Sequence, residues 1–236
     1  MATTNFIDGV TNAALGSTLY DLTRPDPTTA YEWFDDFQNY LAADWVITTV
    51  GAGNTTAVST GAAGGVLVST LDANDNDHMF YQYAGNTSTA VVETFKFVTG
   101  KKAWGKFRAK INEVIQSDFL MGLYITDTDP ITAITDGVYF RKDDGSATLS
   151  LVQTLNSTST TTTAGTMVAD TFCTFGYYYD GAQTMSVFFN DVLVSNAVTT
   201  NLCTDEELAV SFVIQAGEVT NVKILSTDYM YFAQER

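Results

Sequence analysis

The sequence predicts an all-β fold: a two-sheet antiparallel jelly-roll sandwich with an irregular N-terminal arm. Three observations predict it. Short segments rich in Thr, Val, Tyr and Phe recur along most of the 236 residues, and such side chains suit a pleated, half-buried strand. Turn residues separate them, as at Gly51-Ala-Gly53, Gly61-Ala-Ala-Gly-Gly65, Asp127-Thr-Asp-Pro130 and Asp143-Asp-Gly145. Helical periodicity is almost absent, and many short strands with frequent turns indicate a sandwich or jelly roll.

In chain order, residues 1–30 stand apart as an arm. No period of two or 3.6 persists there, and Arg24-Pro25-Asp26-Pro27 stiffens a short connector. A loose terminus fits this composition. So does a segment that orders on a neighbouring subunit, given Phe6, Ile7, Val10, Leu15, Leu19, Tyr20 and Leu22. The folded domain is expected over 31–236, starting at Tyr31-Glu-Trp-Phe-Asp-Asp-Phe37. Strands are expected near 44–50, 54–60, 65–70, 78–84, 89–98, 103–114, 118–126 and 136–142. Further strands are expected near 147–155, 159–168, 171–180, 183–190, 192–198, 207–216 and 219–233. Within this series, 172–194 reads as consecutive strands turning at Asp180-Gly181 and again at Asn190-Asp191. Phe175, Tyr177 and Tyr179 alternate on the way in, and Met185, Val187 and Phe189 on the way out, so each set lines one face. Such a hairpin cannot bury its apolar face alone.

Composition allows one large domain with a real core: 45% of residues are hydrophobic and 13% aromatic. The formal net charge of −16 argues against general nucleic-acid binding and against docking on an anionic membrane. Two cysteines, Cys173 and Cys203, do not make a disulfide framework and are expected as buried free thiols. The N-terminus lacks the charged and apolar regions of a signal peptide, and no apolar run approaches a membrane span.

Six of the 11 Lys+Arg lie between positions 96 and 110: Lys96, Lys101, Lys102, Lys106, Arg108 and Lys110. Lys106, Arg108 and Lys110 alternate with Phe107, Ala109 and Ile111, so one face of that strand is basic. It is either a solvent-facing strand paired with acidic neighbours or a docking patch for an acidic partner, another copy included.

Catalytic constellations are missing from the sequence. Glucanases on this kind of sandwich carry Glu-x-Asp-x-x-Glu or Glu-x-Asp-x-Glu on one strand, and neither pattern occurs. Glu93, Glu113 and Glu218 have no acidic partner two residues on, and Asp205-Glu-Glu207 suits a polar turn. His78 is the only histidine, with no Gly-x-Ser-x-Gly elbow and no zinc ligand set. No catalytic residue, resident cofactor or enzymatic activity is therefore expected. Asp72, Asn74 and Asn76 could hold calcium, although the stretch departs from the EF-hand pattern and a hydrogen-bonded turn accounts for it as well. Trp33, Trp45 and Trp104 either fill the core or form a sugar-stacking platform.

Trp33-Phe-Asp-Asp-Phe37, Tyr179-Asp-Gly181 and Asp228-Tyr-Met-Tyr231 resemble the concanavalin/laminin-G jelly-roll plan, in which the first and last strands lie together. More closely, the chain resembles jelly-roll structural proteins of tailed double-stranded DNA phages. Leu41-Ala-Ala-Asp-Trp45, Phe95-Lys-Phe-Val-Thr-Gly-Lys-Lys-Ala-Trp104, Thr135-Asp-Gly-Val-Tyr-Phe-Arg-Lys-Asp-Asp-Gly145 and Ala233-Gln-Glu-Arg236 carry that likeness. It covers about 31–236 and is one of texture. It implies a non-enzymatic capsid decoration or cement protein on the virion exterior, made in the host cytoplasm, that binds the major capsid protein and self-associates, often as a homotrimer. Phe6, Ile7, Leu19, Tyr20, Lys101, Lys102, Lys106, Arg108 and Lys110 are the expected partner contacts. Two other readings stand: a lectin-like module of a fibre or tail that binds surface glycans, and an unusual glycosidase with two facing carboxylates.

Overall fold

The computed structural model describes residues 28–132 and 134–236. The expected contacts at Phe6, Ile7, Leu19 and Tyr20, and nearly all of the arm, lie outside the described residues. The strands are β1 (Ala30–Asp35), β2 (Trp45–Val50), β3 (Thr55–Val58), β4 (Leu67–Leu71), β5 (His78–Tyr83), β6 (Ala103–Ile111), β7 (Ser117–Tyr124) and β8 (Gly137–Lys142). They continue as β9 (Thr148–Leu155), β10 (Thr158–Thr166), β11 (Cys173–Tyr179), β12 (Thr184–Phe189), β13 (Val192–Val198), β14 (Ala209–Ala216) and β15 (Lys223–Glu235). A single 3-10 turn at Ala42–Asp44 precedes β2.

The strands form two antiparallel sheets, as the sequence predicts. Sheet A runs β13-β12-β11-β6-β15-β4-β3, with β1 also paired to β15. Sheet B runs β10-β9-β8-β7-β14-β5-β2. The first and last strands do lie together: Ala30 faces Glu235 and Asp35 faces Met230.

The expected strand at 89–98 is not formed. Only a single bridge, Phe95 to Leu208, is made there. Phe95 and Phe97 are buried, so the apolar alternation is real. It fixes two anchors without a ladder, because side-chain parity alone supplies no partner strand.

Local chemistry explains the hairpins. Asp180 Oδ1 accepts hydrogen bonds from the Ala182 and Thr184 N–H groups at 2.7 and 3.1 Å, which hold its carboxyl below the usual range. Gly181 supplies the positive φ beside it. Asn190 and Asp191 both have positive φ, as a two-residue hairpin turn requires. In β15 the register shifts between Thr227 and Tyr229, so Asp228 is a bulge residue and its carboxylate meets Arg108.

Between the sheets lies one aromatic-rich core. Phe107 and Phe175 of sheet A meet Phe140 of sheet B, with the Phe140–Phe175 ring centroids 4.9 Å apart, and Phe232 packs on Phe107. Each buried ring contributes about 1.5–3 kcal/mol through area removed from water. Cys173 and Cys203 are free and buried, and burial pushes both thiols up to about 11.

Sheet B also buries part of its outer face. Phe80, Leu120, Tyr124, Tyr139, Val152 and Val213 form a second cluster with Ile131, and Ile134 packs against it. The segment between β7 and β8 straps this face. Glu93 Oε1 holds it by accepting the Thr126 N–H at 2.7 Å, and Gln82 Oε1 accepts the Asp127 N–H at 3.2 Å.

Candidate functional site

Among the described residues, no segment straps the outer face of sheet A. On β6 the odd residues from Ala103 to Ile111 are buried, so Trp104, Lys106, Arg108 and Lys110 point outward. Strand registers then place Phe34, Tyr231, Lys106, Gly176, Phe188 and Leu193 in one row across β1, β15, β6, β11, β12 and β13. At about 4.8 Å per strand the row is roughly 24 Å long. In the next row Trp104 lies opposite Tyr178, with ring centroids 5.6 Å apart.

A groove of about 620 Å³ opens between these side chains, lined by Trp104, Tyr178, Phe188 and Tyr231 with Lys102, Lys106, Thr174 and Asp191. Its floor is Gly176. A Cβ there would lie 2.6 Å from the Gly105 carbonyl oxygen, closer than contact permits, so the backbones have approached where no side chain fits. The walls are aromatic faces and the polar groups are few and convergent, as in a site that binds a ring-shaped ligand by stacking and fixes it by hydrogen bonds.

One carboxylate lines the groove, that of Asp191, and it is paired with Lys106 at 2.7 Å. Burial works against the Lys106 charge, yet its hydrogen bond to Asp191 and the nearby Tyr229 and Asp191 charges raise it above the ordinary lysine value. Hydrolysis by paired carboxylates requires a second acid across the cleft, and none is among the lining residues.

The other basic residues expected as contacts have neighbours of their own. Lys102 pairs with Glu235 at 3.9 Å, Arg108 with Asp228, and Lys101 donates to the Arg236 carbonyl. Arg108 also stands 4.3 Å from the Phe172 ring centroid, with Lys110 at 5.3 Å from it. Lys96 pairs with Glu207 at 3.1 Å. The structure thus brings Lys102, Lys106, Arg108 and Lys110 to one face and sends Lys101 to the C-terminal carbonyl.

Of the tryptophans, Trp45 is buried and Trp33 packs edge-on against it and against Tyr83, so both serve the core. Trp104 alone reaches the groove. In the proposed calcium stretch Asn74 donates to Asp77 at 3.0 Å, Asn76 accepts from Gln215 at 3.1 Å, and Asp72 accepts from the Ala73 N–H at 2.8 Å. These bonds hold the turn before β5. Sequence reading missed a three-residue group, Asp136, Cys203 and Asp205, whose ligand atoms lie within 4.8 Å of one another. Asn156 donates to both carboxylates, and the Cys203 thiol to Asp205. His78 stacks on Phe80 at 4.0 Å.

No protein-family model matches the sequence, and no curated protein does. Solved structures share the fold. A Shewanella oneidensis protein of unknown function superposes with TM-score 0.58 at 11% identity, over 94% of this chain and 96% of the other. An endo-1,3-beta-glucanase from Streptomyces sioyaensis gives 0.59 at 12% identity, over 90% and 99%. A botulinum neurotoxin type C structure, described by its interaction with two ganglioside molecules, gives 0.55 at 7% identity over 87% of this chain and 47% of the other. At such identities the likeness is one of fold: a concanavalin-like jelly-roll sandwich.

Proposed function

We propose that this chain is a non-enzymatic virion surface protein that works by binding, and that the open groove on sheet A receives a glycan. The observation that carries the reading is the Trp104–Tyr178 pair beside the Gly176 floor, on a sheet face over which no strap lies among the described residues. Aromatic faces stack on the apolar face of a sugar ring, and the nearby Lys106, Asp191 and Thr174 can bond its hydroxyls. The virion setting rests on the sequence resemblance. A glycan array tests the binding: signal that is lost in Trp104→Ala supports the reading, and silence of the native protein overturns it.

A second reading, capsid decoration or cement, is favoured by strand β13. It is a sheet edge, it carries no charge from Val192 to Val198, and Val192, Leu193, Val194 and Val198 are each 45–65% exposed. An apolar edge of this kind suits a protein partner. The partner in that reading is the major capsid protein, with decoration subunits associating as a homotrimer. Binding only the assembled shell would stabilise it by linkage. Co-sedimentation with heads that lack the protein, at a fixed ratio to the shell protein, tests it; no binding to heads refutes it and leaves the glycan reading for a fibre or tail.

A further inference from the structure

The sandwich ends in edge strands: β13, β3 and β1 in sheet A, β10 and β2 in sheet B. An edge leaves one row of backbone N–H and C=O groups outside any ladder, and proteins protect such rows with charge, proline, brevity or a bulge. β1 carries Glu32 and Asp35. β3 has four residues and exposes only Thr55 and Ala57. β10 exposes Thr158, Ser159, Thr161, Thr163 and Thr166, all hydroxyl side chains. β2 exposes Thr49 and Val50 at one end. β13 differs from them all. It has seven residues, no charge and no proline, and Val192, Leu193, Val194 and Val198 are 45–65% exposed. Its one protection is a bulge that sets Val194 out of register with β12.

The flank around β13 is also free of charge. No Asp, Glu, Lys or Arg occurs from Val192 to Thr204, or from Ser146 to Ala169, a stretch that includes β10. Gln153, opposite Thr160 in the β9–β10 ladder, donates to the Val198 carbonyl at 3.1 Å, which puts both edges on one flank. Copies of a chain with net charge −16 repel one another. A flank without carboxylates is where two of them meet against the least repulsion, and a basic partner finds nothing there to pair with. The opposite flank is likewise uncharged from Trp45 to Leu71, but Val50 is its one large apolar side chain that is exposed.

We infer that β13 pairs antiparallel with β13 of a second copy, about a two-fold axis normal to the sheet. The contact is isologous, so the same valines serve both partners. Sheet A then runs on from one copy into the other with its outer face on the same side in both. The two grooves, each floored by β11, lie five strand spacings apart, about 24 Å. One glycan chain or glycan-bearing surface can engage both and gain from effective concentration. The pairing itself does not depend on the glycan reading; only its consequence for valency rests on it. A two-fold pair gives a dimer, where the capsid reading has a homotrimer.

The test is sedimentation equilibrium of the full chain up to about 100 μM, which reads the mass against the 25.6 kDa of one copy. Twice that mass is expected, with the dimer tightening as salt rises from about 0.05 to 0.2 M, because screening relieves the repulsion between acidic copies. Val198→Lys, at a side chain 65% exposed, should weaken the dimer at least tenfold and leave the melting temperature of the monomer unchanged. Thr55→Lys on the β3 edge should leave the dimer intact. Hydrogen exchange should slow at the β13 amides, and not at those of β3, as protein concentration rises. A monomer at every concentration, a trimer, or a dimer indifferent to Val198→Lys overturns the inference. So does a monomer whose β13 amides are protected, since another part of the chain would then cover the edge. None of these outcomes bears on whether the groove binds a glycan, which the array decides separately.

Discussion

The two outer faces of the sandwich solve the same problem in opposite ways. Both carry large apolar side chains on strands whose other face is already in the core. Sheet B covers its outer cluster with its own chain: Ile131 and Ile134 lie over Phe80, Leu120, Tyr139 and Val213. Sheet A sets Trp104, Tyr178, Phe188 and Tyr231 around a groove that no strap covers among the described residues. An apolar face that the chain itself covers contributes to stability. One without such a cover, ringed by charges, is where stability has least to lose and a ligand has most to gain.

This contrast is open to direct attack. The largest effect is expected from Phe80→Ala under the strap, a loss of about 3–5 kcal/mol in denaturant unfolding. Trp104→Ala on the open face should lose about 1 kcal/mol or less while removing glycan binding. If the two variants prove equally destabilising, the open face is core and the contrast fails.

Gly176→Ala comes next, at about 1–3 kcal/mol, because the added Cβ meets a backbone oxygen at 2.6 Å. It should also weaken any groove ligand. An unstrained Gly176→Ala with full binding would show that the floor is not closed by backbone approach.

Two lysines carry the contrast into pH dependence. Lys142, at the end of β8, is fully buried and donates to the Val114, Ser117 and Asp143 carbonyls. Burial outweighs the nearby carboxylates and pulls it from 10.5 down to about 8. Its folded value is depressed, so the unfolded chain binds its proton more readily. The stability this group contributes is therefore fully present above 10.5 and is lost as pH falls through about 8. Cys173 and Cys203, raised from 9.0 to about 11, act in the opposite sense as pH rises, so the Lys142 contribution is read as the native chain minus Lys142→Met, a difference that should grow between pH 8 and about 10. A difference that stays flat across that range would refute the assignment. Lys106 on the open face is shifted upward instead. The smallest effect belongs here: Lys106→Ala should change stability by less than about 1 kcal/mol, as melting will register.

The contrast between the faces was only partly legible in the sequence. The alternation of Lys106, Arg108 and Lys110 with Phe107, Ala109 and Ile111 placed the basic face correctly, and Trp104 shares its parity. That Trp104 meets Tyr178 was not legible, because register between β6 and β11 depends on which strands become neighbours. The covered face left a signal that parity reading passes over. Phe119-Leu-Met-Gly-Leu-Tyr124 is apolar or glycine at every position, the pattern of a strand buried on both sides. The stretch 89–98 failed in the reverse direction, since Phe95 and Phe97 alternate inward without finding a ladder.

The pairing of β15 has a consequence for synthesis. This strand lies inside sheet A, bonded to β6 along one side and to β4 and β1 along the other. It follows every other strand in order. Until the ribosome has released it, β6 and β4 present unpaired edges, and β1 waits about 200 residues for its partner. Non-local pairing of this kind is slow. The nascent chain is therefore open to aggregation until its final strand arrives, and the demand falls on whatever holds it soluble during translation.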